Sequence, residues 1–195
     1  MKHQHFKNTE QAYGRIAKWI HWSVAILFLL AYVSVYYRQW FTEEKTPENW
    51  NALQVHLSVG VTIGVLVLLR IIWKLINVTP RAEPGTPMEH LAAKLGHYAL
   101  YLVMLVMPLT GYMGTGANTE FFFLFDISKF ADTWIYQALV VDGLNSSFEA
   151  IEPTMDFIHK EIGGKWLVWI LILGHAMAAM YHHFVKRDNT LKRML

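Results

Sequence analysis

The sequence predicts an all-α integral membrane four-helix bundle, and three observations carry that reading. Of 195 residues, 54% are hydrophobic and only 16% are charged, against about 45–50% and about 25% in an ordinary soluble domain. Four apolar stretches approach the roughly 20 residues a helix needs to cross a bilayer. Four of the ten histidines, His21, His97, His175 and His182, fall inside those stretches, and His56 stands at the edge of one. An ionisable group in hydrocarbon is kept only where something compensates its cost. For imidazole the usual compensation is a metal.

The chain reads as one membrane-embedded domain over residues 1–195. The first span runs from about Ile16 to Tyr36. Its apolar run is too long for a cleaved leader, carries charges on both flanks and lacks a small-residue cleavage site, so it reads as a retained helix. The second runs from about Val55 to Ile76, the third from about Leu91 to Met113 and the fourth from about Trp166 to Phe184. Segments this apolar all round do not face water. The link Asn77 to Glu89 holds Pro80, Pro84 and Pro87 and reads as short and extended. The connection from about Gly114 to Gly164 is too long for a turn. It opens with Phe121, Phe122, Phe123, Leu124 and Phe125, expected in the membrane interface with Asp126, Lys129 and Asp132 turned to solvent. Trp134 to Val141 and Asp156 to Lys165 are expected to add a short cap or a helical extension of the fourth span.

Charge sets the orientation. Twelve lysines and arginines lie at or beyond the span ends on the side of the two termini and the second-to-third link, Lys2 among them, and five lie on the other side. The positive-inside rule then puts both termini in the cytoplasm and the long connection in the periplasm of a bacterial inner membrane. Absent cysteine excludes disulfides, thiolate-held iron–sulfur clusters and covalent c-type haem. No basic run interleaved with aromatics points to nucleic acid. Trp40, Trp50, Trp73, Tyr36 and Tyr37 read as an interfacial belt.

Depth sorts the histidines. His21 stands about 9 Å in from the cytoplasmic face and His175 roughly 16 Å in from the same face, at about 1.5 Å per residue. They can flank one centre in the inner half. His56 stands at the outer start of the second span, where His159, ahead of the fourth span, is the obvious partner. Two bis-histidine centres, one above the other, make an electron path, and haem suits an apolar bundle with paired axial histidines. Zinc wants three or four polar ligands in one cluster. A second arrangement gives His175 to the outer haem and His182 or His97 to the inner one, but His175 and His182 differ by only about 10 Å in height. Gly60, Gly64, Gly96, Gly111 and Gly174 would let a flat ring approach backbone, or serve ordinary helix packing.

The motifs Tyr13-Gly14-Arg15 with Ile20-His21-Trp22, Val55-His56-Leu57-Ser58-Val59-Gly60 with Arg70 and Trp73, Leu95-Gly96-His97, and the ending from His175 through His182-His183-Phe184 to Arg187-Asp188-Asn189-Thr190 resemble the bacterial cytochrome b561 family. The resemblance spans all four helices and fails across much of the outer connection. It implies two b haems, with His21 and His175 holding the inner iron and His56 and His159 the outer one. His159 precedes His175 by sixteen residues, two more than the family's spacing. On one uninterrupted α-helix sixteen residues point well away, at about 100° per residue. Gly163-Gly164 is expected to break the helix and restore the aim.

Further roles follow from that reading. His97 and His182, left without an iron, become candidates for the quinone and proton side, or for hydrogen bonding to a propionate or carbonyl. Arg70 is a propionate partner or, with Lys74, snorkels to lipid phosphate. His90 and His183 read as interfacial. Lys160, Lys165 and Arg38 are the cations available to draw an anionic donor, or plain loop charges. The family includes a superoxide oxidase that passes electrons from superoxide to membrane quinone, such as ubiquinone. The chain is thus expected to be a superoxide:quinone oxidoreductase. The alternative is a haem-b electron-transfer subunit serving a separate dehydrogenase or periplasmic redox partner. A haem-free transporter or scaffold is the third class.

Overall fold

The computed structural model describes residues 6–195; Lys2, one of the twelve cations above, lies outside them. Helices α1 (Arg15–Phe41), α2 (Pro47–Ile76) and α3 (Pro87–Gly114) follow one another through short links. Then come an antiparallel hairpin of β1 (Thr119–Phe121) and β2 (Phe125–Ile127), and a short helix α4 (Trp134–Tyr136) that runs into a π-wound turn, Gln137–Gly143. The last helix, α5 (Phe148–Lys186), has 39 residues. The helices α1, α2, α3 and α5 are each long and apolar enough to cross a membrane. Even the shortest, α1 with 27 residues, reaches about 40 Å at about 1.5 Å per residue, against a hydrocarbon core of about 30 Å.

Two of these helices begin well before the expected apolar stretch. In α2 the Thr46 hydroxyl accepts the Asn49 N–H at 3.3 Å, and Pro47 sits in the first turn, where its missing N–H costs nothing. The helix therefore starts at Pro47 rather than near Val55. In α5 the charged segment ahead of Trp166 is itself helical from Phe148, held by i,i+4 ion pairs of Lys160 with Asp156 and of Lys165 with Glu161. His159, expected ahead of the span, is inside this helix. For α3, Thr86 and Glu89 form a reciprocal capping box in front of Pro87.

The helices pack α1 on α2, α2 on α3 and α3 on α5. Their shared core is an apolar layer at mid-height: Val24 and Phe28 of α1, Val59, Ile63 and Val67 of α2, Val103 of α3 and Val168 of α5. The outward faces are apolar as well, with Leu29, Leu68, Leu102 and Ile170 more than half exposed. A surface of that kind is stable against lipid and not against water.

The two ends differ. At the terminal end, Asn8 and Glu10 hold the α2–α3 link through Val78 and Arg81. The tail folds back over α1, with Trp22 Nε1 donating to the Met194 carbonyl at 2.8 Å and Lys18 to that of Leu195 at 2.7 Å. At the other end the hairpin is docked on α2. Buried Gln54 donates to the Asn118 carbonyl at 3.1 Å and accepts from Glu120 N at 2.7 Å, while Ser58 accepts from Phe122 N at 2.9 Å. Phe122 and Phe123 at the tip both have left-handed backbone, φ 45° and 62°, which bulky side chains rarely adopt. Phe123, Leu124 and Phe125 project outward, as does Asp126.

Candidate haem-holding histidine pairs

Above and below the apolar layer, imidazoles from different helices meet in pairs. Towards the hairpin end, His56 of α2 and His159 of α5 have ring centroids 6.1 Å apart with planes at 85°. Towards the terminal end, His21 of α1 and His175 of α5 stand 6.2 Å apart at 68°. A metal held by two imidazole nitrogens at about 2.0 Å each, with each ring centre about 1.1 Å behind its nitrogen, puts the centroids about 6.2 Å apart. Both pairs match that span.

The sixteen-residue spacing of His159 and His175 is accommodated without a break. Gly163 and Gly164 do not end the helix; it continues through them, π-wound from Phe157 to Leu167. Sixteen residues of α-helix end about 160° from where they start. Over the eight residues from His159 to Leu167 the wider winding, about 80° per residue, takes back roughly that amount. The expectation of a glycine break is thus corrected. Gly163 serves instead to let α5 close on α3, where an added Cβ would collide with the Met107 sulfur.

Each hairpin-end imidazole is oriented by a neighbouring helix in the same way. His56 Nδ1 is 3.0 Å from the Ala31 carbonyl and 3.4 Å from the Ser34 hydroxyl. His159 Nδ1 is 2.9 Å from the Met107 carbonyl and 3.5 Å from the Thr110 hydroxyl. In both cases a carbonyl and the hydroxyl three residues later embrace one Nδ1–H, leaving Nε2 as the free electron-pair donor. Ser34 and Thr110 are buried. Gly111 completes the setting: a Cβ there would lie 2.8 Å from His159 Cε1. The flat ring that approaches this glycine is the imidazole itself. Gly64 packs on Pro108, whereas Gly60, Gly96 and Gly174 have open space beside them.

The terminal-end pair is built differently. Arg70 Nη1 lies 2.9 Å from His21 Nδ1, and its Nε donates to the Tyr101 hydroxyl at 3.4 Å. Trp73, one turn further along α2, buries its indole N–H with no acceptor among the described residues. His97 is not apart from this cluster: its ring is 5.7 Å from that of His175, with Nδ1 donating to the Ala93 carbonyl at 2.7 Å. His182 lies beyond, with Nδ1 2.5 Å from Asp188 Oδ2 and 3.3 Å from the Thr190 hydroxyl. Burial works against the Asp188 charge, but the hydrogen bonds from His182 and Thr190 outweigh it and hold the carboxyl at about 2. His183 buries Nδ1 without a partner among the described residues.

Of the three cations expected to draw an anionic donor, Lys160 and Lys165 are answered by carboxylates on their own helix. Arg38 is instead held by a neutral group, donating from Nε to Asn49 Oδ1 at 3.0 Å. The carbonyls of Ala31 and Met107, the hydroxyls of Ser34 and Thr110, and Asp188 carry no signal in residue type alone. Only the i+3 hydroxyl spacing and the ending His182 to Asp188 offered one.

No group of three or more histidines and carboxylates that would suit zinc gathers among the described residues. Paired imidazoles, with Nε2 free at the hairpin end, and an unmet indole donor at the terminal end fit a flat iron macrocycle bearing carboxylates. The comparison with known families decides between the possibilities: the model for prokaryotic cytochrome b561 matches residues 12–195. The chain belongs to the prokaryotic cytochrome b561 family. As a b561-family protein it is a multi-pass bacterial membrane protein of electron transfer, and the family implies b-type haem. It is 32% identical to cytochrome b561 homolog 2 of Escherichia coli (strain K12) over 201 residues, covering 97% of this chain and 94% of that protein. It is 28% identical to the probable superoxide oxidase CybB of Yersinia pestis, covering 90% of this chain and 91% of that protein. Cytochrome b561 homolog 1 of Escherichia coli (strain K12) is also 28% identical, with 91% and 93% covered.

Proposed function

We propose that this b561-family chain holds two b haems and carries electrons across the bacterial inner membrane, from superoxide in the periplasm to membrane quinone. The observation that carries the reading is the pair of imidazole couples, 6.1 and 6.2 Å apart, on opposite sides of one apolar layer. His56 and His159 hold the outer iron and His21 and His175 the inner one. The charge count, twelve cations against five, supports cytoplasmic termini and a periplasmic hairpin. Haem iron, when bound, supplies one-electron storage at each level.

The chain's own residues do the rest. Arg38, held by Asn49 rather than by a carboxylate, offers an anion a positive approach to the outer pair. The apolar layer between Val24 and Val168 keeps water from the path. At the inner side, His97 and His182 each have Nδ1 fixed, by Ala93 and by Asp188, so Nε2 is free to bond a quinone oxygen and pass a proton. Two superoxide anions give two electrons and become two O2; one quinone takes those electrons and two protons and becomes quinol. A carboxylate of an inner haem would be met by the unpaired Trp73 indole N–H.

The test mixes the purified haem-loaded chain with a superoxide flux and then with ubiquinone. Rapid reduction of the α-band by superoxide, followed by reoxidation on adding quinone, is the expected result. A haem spectrum indifferent to superoxide refutes the donor and moves the function to an electron-transfer subunit serving a separate dehydrogenase.

A further inference from the structure

We propose that the two centres are built at different reduction potentials, the hairpin-end one lower and the terminal-end one higher, so that electrons run from the His56–His159 pair to the His21–His175 pair. The inference rests on the dihaem reading above and adds an order of potentials to its direction. It is carried by what surrounds each Nδ1.

At the hairpin end both imidazoles give their Nδ1–H to a backbone carbonyl, Ala31 at 3.0 Å and Met107 at 2.9 Å. A ligating histidine whose other N–H is donated to a carbonyl is a more basic ligand. Greater electron donation favours the oxidised state of the iron it holds, and hydrogen bonding around the ligands is one of the levers that set haem potential. Both ligands of this pair pull in the same direction. The repeated carbonyl-plus-hydroxyl arrangement, Ala31 with Ser34 and Met107 with Thr110, keeps both rings in that state.

At the terminal end the sign reverses. The neighbour of His21 Nδ1 is Arg70, 2.9 Å away, which has donors and no acceptor. With iron on Nε2, the Nδ1–H and the guanidinium are both donors, so the guanidinium must turn off the nitrogen. Tyr101 keeps it close, through a 3.4 Å hydrogen bond and a ring centroid 5.6 Å from the guanidinium carbon. Lys74 adds a second cation, 4.5 Å from the Tyr101 ring centre. Fixed positive charge in a low-dielectric site disfavours a further positive charge on the iron, and so raises the potential. Arg38 also lends positive charge to the His56 side, but it is hydrogen-bonded to Asn49 rather than set against an imidazole, and Lys160 and Lys165 are neutralised by Asp156 and Glu161.

The test is an equilibrium potentiometric titration of the haem-loaded full chain, read at the α-band in the presence of mediators and without turnover. Two waves are expected. His56→Ala, or His159→Ala if the first takes up no haem, removes the lower wave, and His21→Ala removes the higher. Arg70→Gln moves the higher wave down and leaves the lower in place; Arg70→Lys, which keeps the charge, stays close to the parent. Two haems titrating with the opposite assignment, or together in one wave, overturn the proposal while leaving the dihaem reading intact. An Arg70→Gln variant whose higher wave does not move overturns the role given to the guanidinium. A chain with fewer than two haems defeats both readings together.

Discussion

Replacing Gly111 with alanine perturbs the His159 imidazole, proposed to hold the outer iron, without touching it chemically. The added Cβ would stand 2.8 Å from His159 Cε1 and 3.1 Å from Nδ1, where ordinary contact needs about 3.4–4 Å. The ring must therefore give way by about 0.6 Å, while its Nδ1 is tied to Met107 at 2.9 Å. A metal–nitrogen bond tolerates only about 0.2 Å. A shift three times larger leaves His159 a poor ligand, on the scale of a lost orienting contact, about 10–100-fold in affinity, or about 1.4–2.7 kcal/mol. The assay is haem b per polypeptide after purification at limiting haem supply, with the reduced-minus-oxidised spectrum. Gly111→Ala should lose most of one haem and keep the other. Gly64→Ala, whose Cβ would meet Pro108 at an ordinary 3.4 Å, should keep both. A Gly111→Ala protein with two haems and an unchanged spectrum would refute the assignment of His159 and the closeness of this contact.

Three further outcomes follow from the same contacts. His21→Ala should abolish one haem, whereas His97→Ala should keep both and slow quinone reduction; separate spectra and turnover rates distinguish them, and loss of haem in His97→Ala would make His97 the ligand. Gln54→Ala removes its hydrogen bonds to the Asn118 carbonyl and the Glu120 N–H, about 0.5–1.5 kcal/mol each; the hairpin should open to protease at Phe121–Phe125, and unchanged protection would show that it is not docked through Gln54. Asp188 is held at about 2 in the fold against 3.8 unperturbed. A depressed carboxyl stabilises the fold above pH 4 and that contribution fades as pH falls from about 4 to 2; Asp188→Asn should flatten thermal stability across that window, and a parallel curve would contradict the His182–Asp188 pairing.

The spans were readable because Leu, Ile and Val run on without charge for the needed length, and so were the bundle and the histidines within it. Helix starts were not, because apolarity is a poor marker of where a helix begins. Thr46-Pro47 and Thr86-Pro87 announced α2 and α3 by capping chemistry. For α5, Gly163-Gly164 pointed to a break, whereas the ion pairs of Asp156 with Lys160 and Glu161 with Lys165 support helix, and the helix runs through. The π-winding from Phe157 to Leu167 has no signature in residue type; it arises where α5 packs on Met107 and Gly111. The Ala31 and Met107 carbonyls belong to the backbone, which every sequence has, so the clamps on His56 and His159 emerge only when helices meet. Arg70 was recognisable as a cation near the inner pair, but not as a neighbour of His21 Nδ1.

The proposed electron path depends on two imidazole pairs each holding an iron. The pyridine haemochrome assay, set against polypeptide measured by amino-acid analysis, counts them directly. Two haem b per chain is the expected value, falling to one in His56→Ala and to one, with the complementary spectrum, in His21→Ala. One haem in the parent protein would leave His56 and His159 without an iron, and none would contradict the account altogether.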